Sequence, residues 1–392
     1  MSPDPDSHPG PPGGPAALSG SASWPTLAPS GPGGSAAADG GSELSPAPPR
    51  PAAARATFEA GELAMVCSRY DIGVIESVRE FRRGSGRAPK VVLKTDRGRF
   101  LLKRRSLGKD TPARVAFTHA IQQHLAHRRF PLPRLINTRV DNNSMLVLGE
   151  HIYELFEFIS GDNYDGSLDA TADAGRALAF FHRLLGNFQT SVYAPPSGSY
   201  HNAKGLDEHL NTIAQRIADP ASLPVLKRLR ISYSDAARRV EERGFSAWPL
   251  QIIHGDWHPG NMLFRGSRVA AVIDYDTARR APRIVDIANG VLQFSITMRG
   301  PDPEQWPSGL DEGRLKRFCR GYESVKDCVI STAELEALPW LMIEALIVEA
   351  AIPIAMTGSF AGLSGAAFLR MVDTKAAWLQ QHAHRLTSLV SE

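Results

Sequence analysis

At 392 residues, 43% of them hydrophobic, the chain is longer than one ordinary domain and apolar enough for a substantial core. Its net charge of +3 comes from both signs mixed along the folded part, with no basic block to track a nucleic-acid backbone, so a nucleic-acid partner is not expected. Cys67, Cys319 and Cys328 lie far apart and imply neither a disulfide framework nor a zinc cluster, and residues 1–18 lack a secretory pattern, so a reducing cytoplasmic setting is expected.

Residues 1–56 are dominated by Pro, Gly, Ala and Ser and hold too little apolar surface to offset the entropy of ordering; they read as a disordered tail whose one candidate anchor is Trp24. Residues 57–160 form a first lobe. Within it Gly73–Phe81, Lys90–Thr95 and Arg99–Arg104 read as three antiparallel strands. Gly84 and Gly86, set among arginines between the first two, suit a flexible loop over phosphates, although any hairpin turn can carry such a run. Lys103 sits on an otherwise apolar strand, so its ammonium needs anionic partners, and the phosphates of ATP are such partners. Arg104 or Lys94 takes that role if the strand register differs by one face. Asp110-Thr111-Pro112 is a helix start, and Val115, Ile121 and Leu125 recur behind it at helical spacing as far as His127. Ser144–Leu148 and Ile152–Gly161 follow as an apolar strand pair ending in glycine.

From residue 161 to 392 the pattern is mainly helical. Ala174, Leu178, Phe181 and Leu185 make a core-facing stripe, and further amphipathic segments run through 205–218, 223–243, 311–328, 332–356 and 366–389. The most apolar stretch, Ala337–Ala355, carries Glu344 and Glu349, whose charges are costly at bilayer depth, so it reads as a buried helix and no membrane partner is expected.

The decisive segment is Ile253-His-Gly-Asp256-Trp-His-Pro-Gly-Asn261, followed by Val272-Ile-Asp274-Tyr-Asp276. Phosphoryl transfer needs a carboxylate to take the hydroxyl proton and oxygen ligands for a divalent cation on the donor phosphates. Asp256 suits the first task. Met262–Phe264 and Val269–Ile273 read as short strands with Arg265–Arg268 as the turn, a hairpin that brings Asn261 and Asp274 to one end where a cation is shared. A rival chemistry makes His254, Asp256 and His258 ligands of zinc or iron, but the other histidines stand in no comparable motif.

These residues resemble the aminoglycoside phosphotransferase and choline kinase-like family of small-molecule kinases, and Gly321-Tyr322 with Glu334–Pro339 leans toward its homoserine kinase-like and spore-coat-associated branches. The resemblance implies an α+β, two-lobed protein-kinase-like fold: an N-terminal antiparallel sheet lobe with one helix, then a mainly helical lobe for catalysis and acceptor binding. It implies ATP and Mg2+ as cofactors and a small-molecule hydroxyl as acceptor. Asp256 falls on the catalytic base, Asn261 and Asp274 on the metal ligands, and Lys103 on the phosphate lysine, with Gly84 and Gly86 in the loop above it. Phe156 would wall the adenine pocket, while backbone groups of Glu157 and Ile159 bond the base. His254 is the structural loop histidine, and Asp286 the acid that hydrogen-bonds the loop backbone. The family's helix glutamate, partner of the lysine, is missing: no Glu occurs between Glu80 and Glu150, so a hydrogen bond from His119 or Gln122 would replace the ion pair, or it is omitted. That absence supports a second reading, a kinase-like module that binds nucleotide or a partner without turnover. Only eleven residues separate Asp274 from Asp286, too few for an activation loop, so a small acceptor is expected, with Asp276, Tyr322, Glu344 and Glu349 as candidates to meet it.

Overall fold

The computed structural model describes residues 55–82, 88–105, 110–192, 199–217 and 219–391. Gly84, Gly86 and the tail through residue 54 lie outside the described residues.

The chain enters through α1 (Ala60–Cys67) and builds β1 (Ile75–Glu80), β2 (Lys90–Thr95), β3 (Gly98–Arg104), α2 (Pro112–His127), β4 (Leu146–Leu148) and β5 (His151–Glu157). The five strands form one antiparallel sheet in the order β1-β2-β3-β5-β4. Two-residue alternation then sorts the side chains. Leu93, Leu102, Tyr153 and Leu155 pack with Val66 and Tyr70 into a small core under α1, while Lys103 and Glu154, paired across β3 and β5, take the opposite face. Register thereby settles which cation faces the cleft. Lys94 pairs with exposed Glu76, Arg104 is held by Glu62 on the α1 side at 2.7 Å, and Lys103 alone of the three reaches the second lobe. α2 starts where the sequence says it should, with Thr111 capping the Arg114 amide and Pro112 at the first helical position.

Past the sheet, Gly161 passes so close to the second lobe that a Cβ there would lie 2.8 Å from Leu263 Cβ and 2.9 Å from the Phe264 carbonyl oxygen. Asp162 and Phe264 exchange backbone hydrogen bonds of 2.8 and 2.9 Å, which fasten the two lobes at this crossing. The helical lobe comprises α3 (Leu168–Leu185), α4 (Leu206–Arg216), α5 (Ser222–Glu241), the short strands β6 (Gln251–Ile253), β7 (Met262–Arg265), β8 (Arg268–Val272) and β9 (Arg279–Ala281), then α6 (Ile284–Ser295), α7 (Glu312–Glu323), α8 (Thr332–Thr357), β10 (Ser359–Phe360), β11 (Leu363–Ser364) and α9 (Gly365–Ser391). One continuous core holds it together, with α8 at its centre. Among the described residues α8 is the one helix long and apolar enough to cross a bilayer, and 94% of its most apolar window is buried inside the protein. α3 and α7 touch backbone to backbone: a Cβ on Gly321 would sit 1.9 Å from the Ala172 carbonyl oxygen.

Two hairpin-like pairs build the site. β7 and β8 align Met262 with Val272, and beyond their last pair the Ile273 amide donates to the Asn261 carbonyl at 2.9 Å. β6 and β9 align Ile253 with Arg279, which brings Arg279 beside the start of the 254–261 loop.

Candidate active site

The 254–261 loop is shaped from below. Asp286, on the first turn of α6 and fully buried, accepts the amides of His254 at 2.7 Å and Gly255 at 2.8 Å. Gly255 has φ +79°, a conformation that suits glycine, and it turns the chain so that Asp256 follows in the cleft. Burial alone would raise the pKa of Asp286, but His182, His254 and the Gly255 amide outweigh it and hold the carboxyl below its usual range. His182 lies behind it at 3.2 Å and turns its other nitrogen to the Tyr322 hydroxyl. The His254 ring reaches forward to the Ile273 carbonyl at 3.2 Å, and burial lowers its pKa, so it is a neutral donor tying the loop to the end of β8.

Asp256, Asn261 and Asp274 come together. The Asn261 side-chain amide donates to the Asp256 carboxylate at 2.9 Å and to its backbone carbonyl at 3.0 Å, so its own side-chain oxygen is left to face elsewhere. Asp274 follows Ile273 with φ 64°, an uncommon backbone for a residue with a side chain, and its carboxylate is exposed. His258 completes the cluster: the Gly260 amide donates to Nδ1, which puts the ring proton on Nε2, 3.5 Å from Asp256. Burial opposes a charge on this ring, yet Asp256, Glu349 and Asp274 around it prevail and raise its pKa. Among the described residues no three His, Cys, Asp or Glu side chains are grouped so as to hold a metal ion, which leaves the zinc or iron reading without support. The oxygen atoms offered by Asn261 and Asp274 suit a hard cation such as Mg2+.

On the sheet side, Lys103 Nζ lies 3.2 Å from Asp276 and 3.8 Å from Glu154. Here one expectation is corrected. His119 does not stand in beside the lysine: Nε2 lies 2.6 Å from Glu154 and Nδ1 2.8 Å from Ser144 Oγ, while Gln122 donates to the Thr118 carbonyl. The acid that replaces the missing helix glutamate comes from β5, and the α2 histidine orients it. Arg105 joins the same knot, with Glu154 at 2.7–2.8 Å, Asp276 at 2.6 Å and Asp110 at 3.3 Å. Burial would raise the pKa of Glu154, but Arg105, Lys103 and His119 hold it well below the carboxylate range. Lys90, opposite Lys103 on β2, went unnoticed in the sequence; burial and Lys103 lower its pKa, while Asp274 and Asp276 pull it back.

At the crossing between lobes Phe156 is half-buried and bridges to Leu135, and Ile159 lies just beyond β5. The Glu157 amide donates to the Arg134 carbonyl at 2.9 Å, so that group is committed and does not serve a base.

A model of the phosphotransferase enzyme family matches residues 77–329. The chain belongs to this family. It is a small-molecule kinase. A homoserine kinase from Beijerinckia indica subsp. indica is 26% identical over 288 residues, covering 71% of this chain and 80% of that protein. The solved aminoglycoside phosphotransferase of Alicyclobacillus acidocaldarius shares the fold with a TM-score of 0.60 at 19% identity, over 83% of this chain and 95% of that one. A microcompartment-associated aminopropanol kinase matches equally well, with a TM-score of 0.60 at 15% identity over 84% and 99%. The two-lobed kinase-like α+β fold is therefore established.

The far wall of this phosphotransferase sorts the four acceptor candidates. Asp276 is spent on Lys103 and Arg105, and Tyr322 is buried against His182. Glu344 is buried and bound by His201 at 3.0 Å. Glu349 differs: it accepts from the Tyr200 hydroxyl at 2.7 Å, and the same hydroxyl reaches the Gly255 carbonyl at 3.3 Å, next to Asp256. Gln293 on α6 donates to its other oxygen. Arg279, which no sequence signal marked, meets the Gly255 carbonyl at 3.4 Å and the Thr277 carbonyl at 3.2 Å.

Proposed function

We propose that the protein transfers the γ-phosphoryl group of ATP to the hydroxyl of a small amino alcohol. What supports this reading is the hairpin junction, where the Asn261 side-chain amide bonds the Asp256 carboxylate and the Ile273 amide bonds the Asn261 carbonyl, so that Asp274, the next residue, follows at the same end. Asp256 orients the acceptor hydroxyl and takes its proton as the oxygen–phosphorus bond forms, while the bond to the β-phosphate breaks and ADP leaves with the electron pair. Asn261, through its side-chain oxygen, and Asp274 would hold Mg2+, which when bound neutralises charge on the donor phosphates. Lys103 and Lys90 offer two ammonium groups on one face of the sheet to the same phosphates. Phe156 and the backbone near Ile159 line the place for the base at the crossing in this reading. His254 and Asp286 keep the loop in shape; neither touches the reacting atoms.

The amino-alcohol class is supported by Glu349, a carboxylate one hydroxyl group away from the loop that carries Asp256, and by the homoserine kinases among the relatives. The test is ADP release with MgATP over a panel of amino alcohols, sugars and simple alcohols. Turnover confined to the amino alcohols supports the reading; ATP binding without turnover on any acceptor supports the non-catalytic module instead.

A further inference from the structure

Arg279 poses a physical problem that the proposed reaction does not solve. It is 5% exposed, and among the described residues it makes no salt bridge. Its Nη1 touches two backbone carbonyls, but Nε and Nη2 are buried without a hydrogen-bond partner. A buried guanidinium with two empty donors is expensive, and a fork of that shape matches a carboxylate. Its position is informative. The guanidinium lies directly on Gly255, where a Cβ would come within 2.1 Å of Nη1, so it stands one residue from Asp256. The Tyr200 ring lies under it at 5.7 Å, and the Tyr200 hydroxyl bridges from the Gly255 carbonyl to Glu349. A cation with empty donors and an anion thus flank the proposed base, separated by one tyrosine.

α6 points the same way. Asp286, Asn289 and Gln293 fall on one stripe of this helix, at spacings of three and four. Asp286 grips the loop and Gln293 grips Glu349, so the stripe runs between the loop and Glu349. Asn289 is 1% exposed with both side-chain polar atoms unpartnered, and Gln293 keeps an unpartnered side-chain oxygen. Buried polar atoms are nearly always satisfied in a finished fold, and Arg279, Asn289 and Gln293 are among the residues here that depart from this.

We propose that the acceptor is a hydroxyl-bearing amino acid, whose carboxylate is taken by Arg279 and whose ammonium is taken by Glu349, leaving its hydroxyl at Asp256. This rests on the phosphotransferase reading above and narrows it from amino alcohols to zwitterions. Arg279 and Glu349 act as specificity-determining residues. A site that leaves buried charges unpaired when a substrate group is missing rejects the truncated analogue strongly.

The experiment compares L-homoserine with 3-aminopropan-1-ol, which lacks the carboxylate, and 4-hydroxybutanoate, which lacks the ammonium, by ADP release with MgATP on the full chain. Homoserine is expected to exceed each in kcat/KM by about 100-fold or more. R279Q should collapse the homoserine-to-aminopropanol ratio, chiefly through the KM for homoserine, and E349Q the homoserine-to-hydroxybutanoate ratio. R279K, which keeps charge and stem if R279Q fails to fold, should lower the first ratio partway, since an ammonium lacks the fork. A wild-type enzyme that turns over aminopropanol as well as homoserine, or Arg279 variants that leave the ratio untouched, would overturn the pairing while the amino-alcohol reading stands. No turnover on any of the three sinks both.

Discussion

Arg105 and Arg279 are equally buried, each 5% exposed, and the fold treats them in opposite ways. Arg105, on the sheet side of the cleft, is surrounded by Glu154, Asp276 and Asp110, all within 3.3 Å. Among the described residues Arg279, across the cleft, has polar contacts with carbonyl oxygens and an aromatic face and no ion pair. Desolvating a charge is offset on the first side by carboxylates of the protein itself and on the second, among the described residues, by two carbonyls and an aromatic ring with no carboxylate. The contrast separates a cation that belongs to the scaffold from one kept ready for a ligand. It also assigns the lobes: the sheet side arrives with its charge balance closed around Lys103, and the acceptor side arrives with a deficit.

The group between the two sides sets the largest expected effect. D256N keeps the size of the side chain and a partner for Asn261, so the protein should melt as the wild type does. If Asp256 is the base, kcat falls by roughly 100- to 10,000-fold while ATP affinity changes little. Undiminished kcat in D256N would remove the junction of the two arginine-flanked sides from the chemistry altogether.

Next in size is the scaffold side. E154Q leaves Arg105 with two of its three carboxylate partners and Lys103 with one of its two, and breaking such a buried pair should cost about 3 kcal/mol in a denaturant titration. The sign with pH follows from the depressed pKa. Glu154 titrates in the fold well below the ordinary glutamate value of 4.5, so its stabilisation is full above that value and is lost as pH falls below it. The gap between wild type and E154Q should therefore hold from neutrality to about pH 5 and close under acid. By contrast R279Q removes a buried charge that has no carboxylate to orphan, and should lie within about 1 kcal/mol of the wild type, on either side. Loss in R279Q as large as in E154Q would erase the distinction between the two arginines.

How much of this was legible in the sequence follows the range of the interactions. The 253–276 stretch could be read because its geometry is local: a two-strand turn dictates that Asn261 and Asp274 share an end, and the Ile273–Asn261 bond delivers that. The helices from residue 168 onward follow from periodicity, and the α2 start from its cap. Glu154 could not be found. It reaches Lys103 only because β5 skips β4 and docks on β3, a pairing about fifty residues apart that no short pattern encodes. The acid beside Lys103 stands on β5 and not on α2. Glu344 and Glu349 are five residues apart on one helix and indistinguishable by composition; only the fold turns one to His201 and the other to the loop. Arg279 hides in the ordinary string Thr-Ala-Arg-Arg-Ala, and what marks it is that its Nε and Nη2 have no hydrogen-bond partner among the described residues, which exists only in three dimensions.

The smallest expected effect sharpens the comparison from the acceptor side, because there one histidine does for Glu344 what no residue does for Arg279. His201 lies between Glu344 at 3.0 Å and Glu241 at 2.8 Å. Burial would lower its pKa, but the two carboxylates outweigh burial and raise it above 6.5. A raised pKa means that the protonated ring stabilises the fold fully below pH 6.5 and that this is lost as pH rises through the folded value. H201Q should therefore melt below the wild type near pH 6, with the difference narrowing toward pH 9. A difference that widens with pH would mean that the neutral ring is what the fold uses.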